Sequence, residues 1–132
     1  MVLSTIFFNH PYSKLKIMET LKTLLVVPLL SGAIFILAGL IMFVFPPKNI
    51  NGLYGYRTSN SMKSQERWEF AQKYSSLEMM KFGGILMLTS ILGFIIEPNG
   101  DTPMVIGLGL MIAMVIVLLI RVEKALKKRF PE

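Results

Sequence analysis

Cysteine is absent from the chain and histidine occurs once, as His10. The first absence excludes disulfides and thiolate metal sites, and the second removes histidine-paired nucleophiles and multi-histidine metal centres. Charge is missing where it would matter for transport. From Leu24 to Phe45 no residue ionises over 22 positions, and from Met104 to Ile120 none does over 17. Apolar stretches without acids or bases lack the usual signature of a proton relay or an ion-coordinating pump. The glycines Gly52 and Gly55 lack the spacing and the strand-to-helix setting of a phosphate-cradling loop. These gaps predict a chain that is no enzyme and carries no cofactor or metal.

What remains is strongly apolar. Hydrophobic residues make up 53% of the 132 positions and are gathered into blocks. At ~1.5 Å per residue the Leu24–Phe45 run extends roughly 33 Å, enough to cross a hydrocarbon core. Met104–Ile120 stands at the lower edge of spanning length. Phe82–Ile96 is shorter, so a span there extends back to Leu77 and puts Glu78 and Lys81 at headgroup level as a modest surface pair. The fold class predicted is an all-α integral membrane protein organised as one membrane domain. Its three transmembrane helices lie at about 24–45, 77–96 and 104–120, with a motif loop at 47–76 and a basic tail at 121–132. Residues 1–20 show no strong pattern, and Met1–Phe8 does not read as a secretory signal.

Basic residues orient the spans. The 47–81 segment carries Lys48, Arg57, Lys63, Arg67, Lys73 and Lys81, and the tail carries Arg121, Lys124, Lys127, Lys128 and Arg129. The other side has only Lys14, Lys16 and Lys22, with none in the 97–103 turn. Positive charge retained on the cytoplasmic side places the amino terminus outside and both the loop and the carboxyl terminus inside. Attraction of the tail to anionic lipid accounts for its charge without nucleic acid.

Turn and cap residues divide the chain further. Pro46-Pro47 ends the first span, Asn51-Gly52 marks a turn, and Glu97 to Pro103 forms a tight external turn. Ser59, Asn60, Ser61 and Ser64 are all competent helix caps, followed by Gln65, Glu66 and Glu69. A helix from about Ser61 is expected to run on into the second span, with Phe70, Ala71, Tyr74 and Leu77 on one face. Two pairs of small residues at helix-contact spacing, Thr89/Gly93 and Gly109/Ala113, fit either a dimer interface or packing within one chain; packing within the chain is the expectation, and homo-oligomerisation stays open.

Chemistry that could recognise a partner is concentrated in Tyr54, Gly55, Tyr56, Arg57 and Thr58, with Lys63 and Trp68. An arginine fork clamps phosphates or carboxylates at two points. Arg57 is equally able to staple helix carbonyls or an acid such as Glu78, and the aromatics suit a membrane interface.

The order Tyr-Gly-Tyr-Arg-Thr, then Ser61-Met62-Lys63-Ser64-Gln65, Trp68 and Ala71-Gln72-Lys73, after one span and before a two-span hairpin, resembles the SdpI family of bacterial membrane immunity proteins. The resemblance covers roughly residues 24–120. It implies a three-helix module in the bacterial cytoplasmic membrane with its motif loop facing the cytoplasm. Six-span members protect a producer cell from a secreted peptide toxin and draw a repressor to the membrane; this chain resembles a short form with only the motif-bearing half. By resemblance, Gly55, Arg57, Thr58, Lys63 and Trp68 are the binding positions, supported by Tyr54, Tyr56 and Gln72. Immunity against a secreted antimicrobial peptide is the function this implies. The alternatives are a membrane-tethered regulator that recruits a soluble repressor, or an accessory subunit of an envelope transporter.

Overall fold

The structure, a computed structural model, describes residues 11–95 and 102–131. Among these residues all regular structure is helical. Helix α1 runs Pro11–Val44, α2 Gln65–Ile95 and α3 Thr102–Arg129. Two segments, Val26–Val44 of α1 and Val105–Arg129 of α3, are long and apolar enough to cross a bilayer. The helix expected to enter a second span is present as one unbroken rod, α2. Its start is Gln65 rather than Ser61, because residues 58–62 form a hydrogen-bonded turn in which the Met62 amide donates to the Thr58 carbonyl at 3.1 Å. Of the four possible caps, Ser64 takes the role: its Oγ accepts from the Arg67 amide at 3.2 Å. The first helix begins well before Leu24, carrying Pro28 within it. The expected Glu97–Pro103 turn lies mostly outside the described residues.

Helices α1 and α2 pack antiparallel with their backbones almost touching. A Cβ on Gly32 would lie 2.6 Å from the Gly83 carbonyl oxygen, and one on Gly83 would lie 2.6 Å from that of Gly32. Seven residues further along α1, a Cβ on Gly39 would come within 2.7 Å of the Ser76 carbonyl oxygen. Because lipid removes the hydrophobic incentive for association, close approach through small residues supplies the packing energy instead. The small pairs expected to do this do not all serve. Gly109 has open space where a side chain would be, and Ala113 is exposed, so this pair does not pack within the chain. Thr89 spends its hydroxyl on the Leu86 carbonyl of its own helix at 2.7 Å.

Polarity is distributed inside out relative to a soluble helix. Gln72, Ser75, Ser76 and Glu78 of α2 are buried, whereas Leu88, Ile91 and Leu92 are exposed. On α1 and α3 the exposed residues include Leu30, Ile34, Leu37, Val105 and Ile116. Of the face expected on α2 to lie against lipid or a neighbouring helix, Ala71 is buried and Leu77 is exposed, and the interior row mixes Gln72, Ser75 and Ser76 with Trp68, Phe82 and Leu86. Glu78 differs most from expectation. It is 2% exposed and accepts from Arg121 Nε of α3 at 2.6 Å as well as from Lys81 Nζ at 3.1 Å, so a surface pair becomes an interhelical tie. A carboxylate taken out of water needs such partners, since an unpaired one would not stay charged. The carboxyl ends of α1 and α3 and the amino end of α2 meet at one end of the bundle, where the 45–64 segment closes over them.

Candidate functional site

Just beyond α1 the irregular 45–48 stretch has carbonyls with no helical partners, and the motif region supplies side-chain donors to them. Tyr54 Oη donates to the Phe45 carbonyl at 3.0 Å, Trp68 Nε1 to that of Pro47 at 2.8 Å, and Gln65 Nε2 to that of Lys48. Trp68 is fully buried, so its donor-only indole joins α1 to α2 at the centre of the cap. Asn51 shapes the loop between them, its Oδ1 accepting from the amides of Leu53 at 3.0 Å and Tyr54 at 2.9 Å.

Gly55 and Gln72 form the next joint. The Gln72 amide reads the backbone of Tyr56 at both ends, accepting from its N–H at 2.6 Å and donating to its carbonyl at 2.9 Å. Gly55 allows this approach. Its φ is +108°, in the region open to glycine, and a Cβ there would run into Gln72 Oε1 and lie 2.8 Å from Pro47 Cγ. Gln72 was expected only as a supporting position, and it is the buried clamp of the motif.

Beyond Gly55 the chain passes into the 58–62 turn, and three of its polar side chains face α3. Tyr56, Thr58 and Asn60 all reach Glu123. Its Oε1 accepts from Tyr56 Oη at 3.1 Å and Thr58 Oγ1 at 2.7 Å, and its Oε2 from Asn60 Nδ2 at 3.1 Å. Hydrogen bonds to a carboxylate are the stronger kind, about 1.5–3 kcal/mol each. Burial pushes the Tyr56 phenol well above the usual tyrosine range, and the negative charge of Glu123 beside it adds to the effect. Ser61, wholly buried, braces the turn: its Oγ accepts from the Thr58 amide at 2.9 Å and points its hydroxyl at the carbonyls of Tyr56 and Thr58, at 3.1 and 3.0 Å.

The intervening residues Arg57 and Ser59 are exposed. Arg57 donates to the Gly52 carbonyl, a loop acceptor rather than a helix carbonyl or Glu78, whose described partners are Lys81 and Arg121. Lys63 is exposed at the start of α2, on the side of the cap away from Gly55. Of the eight positions expected, Tyr54, Gly55, Tyr56, Thr58, Trp68 and Gln72 thus interlock, while Arg57 and Lys63 stand at the surface. Glu123 and Ser61 were missed as site residues. The signal for Glu123 was an acid amid the basic run after the last span.

A groove of about 860 Å³ opens beside this cap between the end of α1 and the start of α2. Met42, Phe43 and the two prolines line it together with Lys48, Lys73 and the acid Glu69. Apolar surface and cations thus meet in one trough. No group of three or more histidine, aspartate or glutamate side chains among the described residues is placed to hold a metal.

Comparison with known proteins addresses the same segment. The model of the SdpI/YfhL protein family matches residues 48–121, so the match begins in the motif loop rather than at residue 24, and Glu123 lies just beyond it. The uncharacterized protein YfhL of Bacillus subtilis (strain 168) is 35% identical over 99 residues, covering 75% of this chain and 84% of the relative. No solved structure matches. With more than half of its length matched and two apolar helices able to span a bilayer, the chain is a membrane protein of the SdpI/YfhL family.

Proposed function

We propose that this protein is an immunity or resistance protein of the bacterial cytoplasmic membrane, acting against a secreted antimicrobial peptide. In this reading it is one membrane domain of three spans, with the apolar half of α2 as the middle one, the amino terminus outside, and the cap and carboxyl terminus in the cytoplasm. The observation that carries it is the trough beside the cap, whose Met42–Phe43 part suits the apolar face of a peptide and whose Lys48 and Lys73 suit its carboxylates. Gly55, Trp68 and Gln72 hold the trough wall, Tyr56 and Thr58 lock the cap to α3, and Arg57, outside the trough lining, offers an exposed guanidinium on the cap surface where it braces the Gly52 carbonyl.

Expression in a sensitive host tests this. Arg57→Ala is expected to abolish protection while leaving the amount of protein in the membrane unchanged, and Phe43→Trp, which adds bulk at the exposed trough wall, to do the same. Undiminished survival with both variants would refute the proposal.

One observation favours a second reading, a regulator that recruits a soluble repressor. Ile50, Leu53 and Tyr54 of the cap are exposed close together in sequence, Leu53 at 93%, an apolar surface suited to a protein partner. Capture of a cytoplasmic repressor by the full chain in mild detergent, lost in Leu53→Ser, would favour recruitment; loss of peptide protection in the trough variants alone would favour immunity.

A further inference from the structure

A second depression lies on the opposite flank of the cap, away from the trough. It has a volume of about 520 Å³ and is lined by Ser59, Asn60, Lys63, Arg67, Lys127 and Phe130. Three cations from two separate parts of the chain converge there, and the nearby acid, Glu123, stands behind Asn60 with its charge favoured by Lys127. Their convergence is built rather than incidental, because the central one is fixed. Arg67 donates through one nitrogen to Asn60 Oδ1 and through another to the Phe130 carbonyl at 3.1 Å, and its guanidinium lies 5.6 Å from the centre of the Phe130 ring. Phe130 is itself held edge-on against Phe70 at 5.8 Å, and Asn60 is held by Glu123. Those bonds use two of the five N–H groups of a guanidinium, leaving a pre-oriented fork in a cationic hollow.

We infer that this hollow is a binding site for a phosphoryl oxyanion, with Arg67 as the fork and Lys63 and Lys127 as flanking charges. The planar donors of an arginine match two oxygens of a phosphate, and ammonium groups on either side neutralise the remaining charge. Ser59 and Asn60 add short polar groups at the rim. The phosphoryl group belongs either to a soluble phosphate or to an anionic lipid head, and both present the same oxygens. The inference is independent of the peptide-resistance reading, since no residue of the trough lines this hollow.

Full-length protein in phosphatidylcholine nanodiscs, titrated calorimetrically with inorganic phosphate, is the direct test. Saturable binding is expected, weakened at least tenfold in Lys127→Gln and Lys63→Gln, whose side chains are exposed, and also in Arg67→Lys, which keeps the charge but removes the fork. Lys48→Gln, in the trough, is expected to bind like the parent. Nanodiscs containing phosphatidylglycerol separate the two sources: if added phosphate no longer binds there, the lipid head occupies the site; if it still binds, the ligand is soluble. Phosphate binding that is absent in phosphatidylcholine, or equal in the parent and the lysine variants, would overturn the inference.

Discussion

The helical shaft and the cap hold together by opposite means. Along α1 and α2 the contact is backbone against backbone, with Gly32, Gly39, Ser76 and Gly83 contributing by having little or no side chain. In the cap, backbone is held by side chains: Gln72 on Tyr56, Trp68 on Pro47, and Ser61 on the 56–58 turn. The reason is the backbone. A helix satisfies its own N–H and C=O groups and needs only close fit, whereas an irregular segment must find a partner for every buried one. Among the described residues no buried side-chain nitrogen or oxygen lacks a partner.

Substitutions that interchange the two strategies should do the most damage. Gly55→Val combines a left-handed backbone position with collision against Gln72 and Pro47, so it should cost about 4 kcal/mol from strain and broken buried hydrogen bonds. Loss of the folded protein in detergent, read by thermal melting, checks it; a melting point equal to the parent's would mean the cap tolerates a side chain there. Gly83→Leu forces the helices apart and should cost about 3 kcal/mol, while Gly109→Leu, facing open space, should leave the melting point unchanged. The contrast between these two leucines isolates backbone approach from helix propensity.

Glu123→Gln is next, at about 2 kcal/mol, because three donors from the cap lose a charged acceptor. Faster hydrogen exchange in residues 56–61, with α1 and α2 unchanged, would show that Glu123 serves the cap alone. The smallest effect belongs to pH. The unfolded chain ionises Tyr56 near 10.0, whereas burial and Glu123 displace the native value upward. A group with a raised native value stabilises the fold fully below its unfolded value and loses that contribution as pH rises through the native one, so the cap should loosen above pH 10.0. Tyr56→Phe, at about 1 kcal/mol, should blunt that alkaline dependence.

Much of the shaft was legible in the sequence because length and lack of charge are local properties. The first and last apolar runs, the stop at Pro46-Pro47 and the helix continuing from the motif into apolar sequence could all be read from neighbouring residues. The burial of α2 could not. Gln72, Ser75, Ser76 and Glu78 point inwards beside Trp68, Phe82 and Leu86, while Leu88, Ile91 and Leu92 point outwards, so burial does not follow hydrophobic periodicity, and the glycines that set the helix crossing pair across chain segments far apart in sequence. In the cap, the motif residues could be named but not their partners. Gln72 clamps a backbone sixteen positions away. Glu123 lies sixty-five positions from Thr58 and is disguised by the lysines around it.

Trp68 gives the molecule its own reporter. It is the chain's single tryptophan, wholly shielded, and bonded to the Pro47 carbonyl just beyond α1. Ultraviolet emission excited beyond the tyrosine absorption band therefore comes from one place, and a red shift or quenching by a soluble agent signals separation of the cap from the first helix. The same optical channel can follow peptide, lipid or phosphate addition without any label attached.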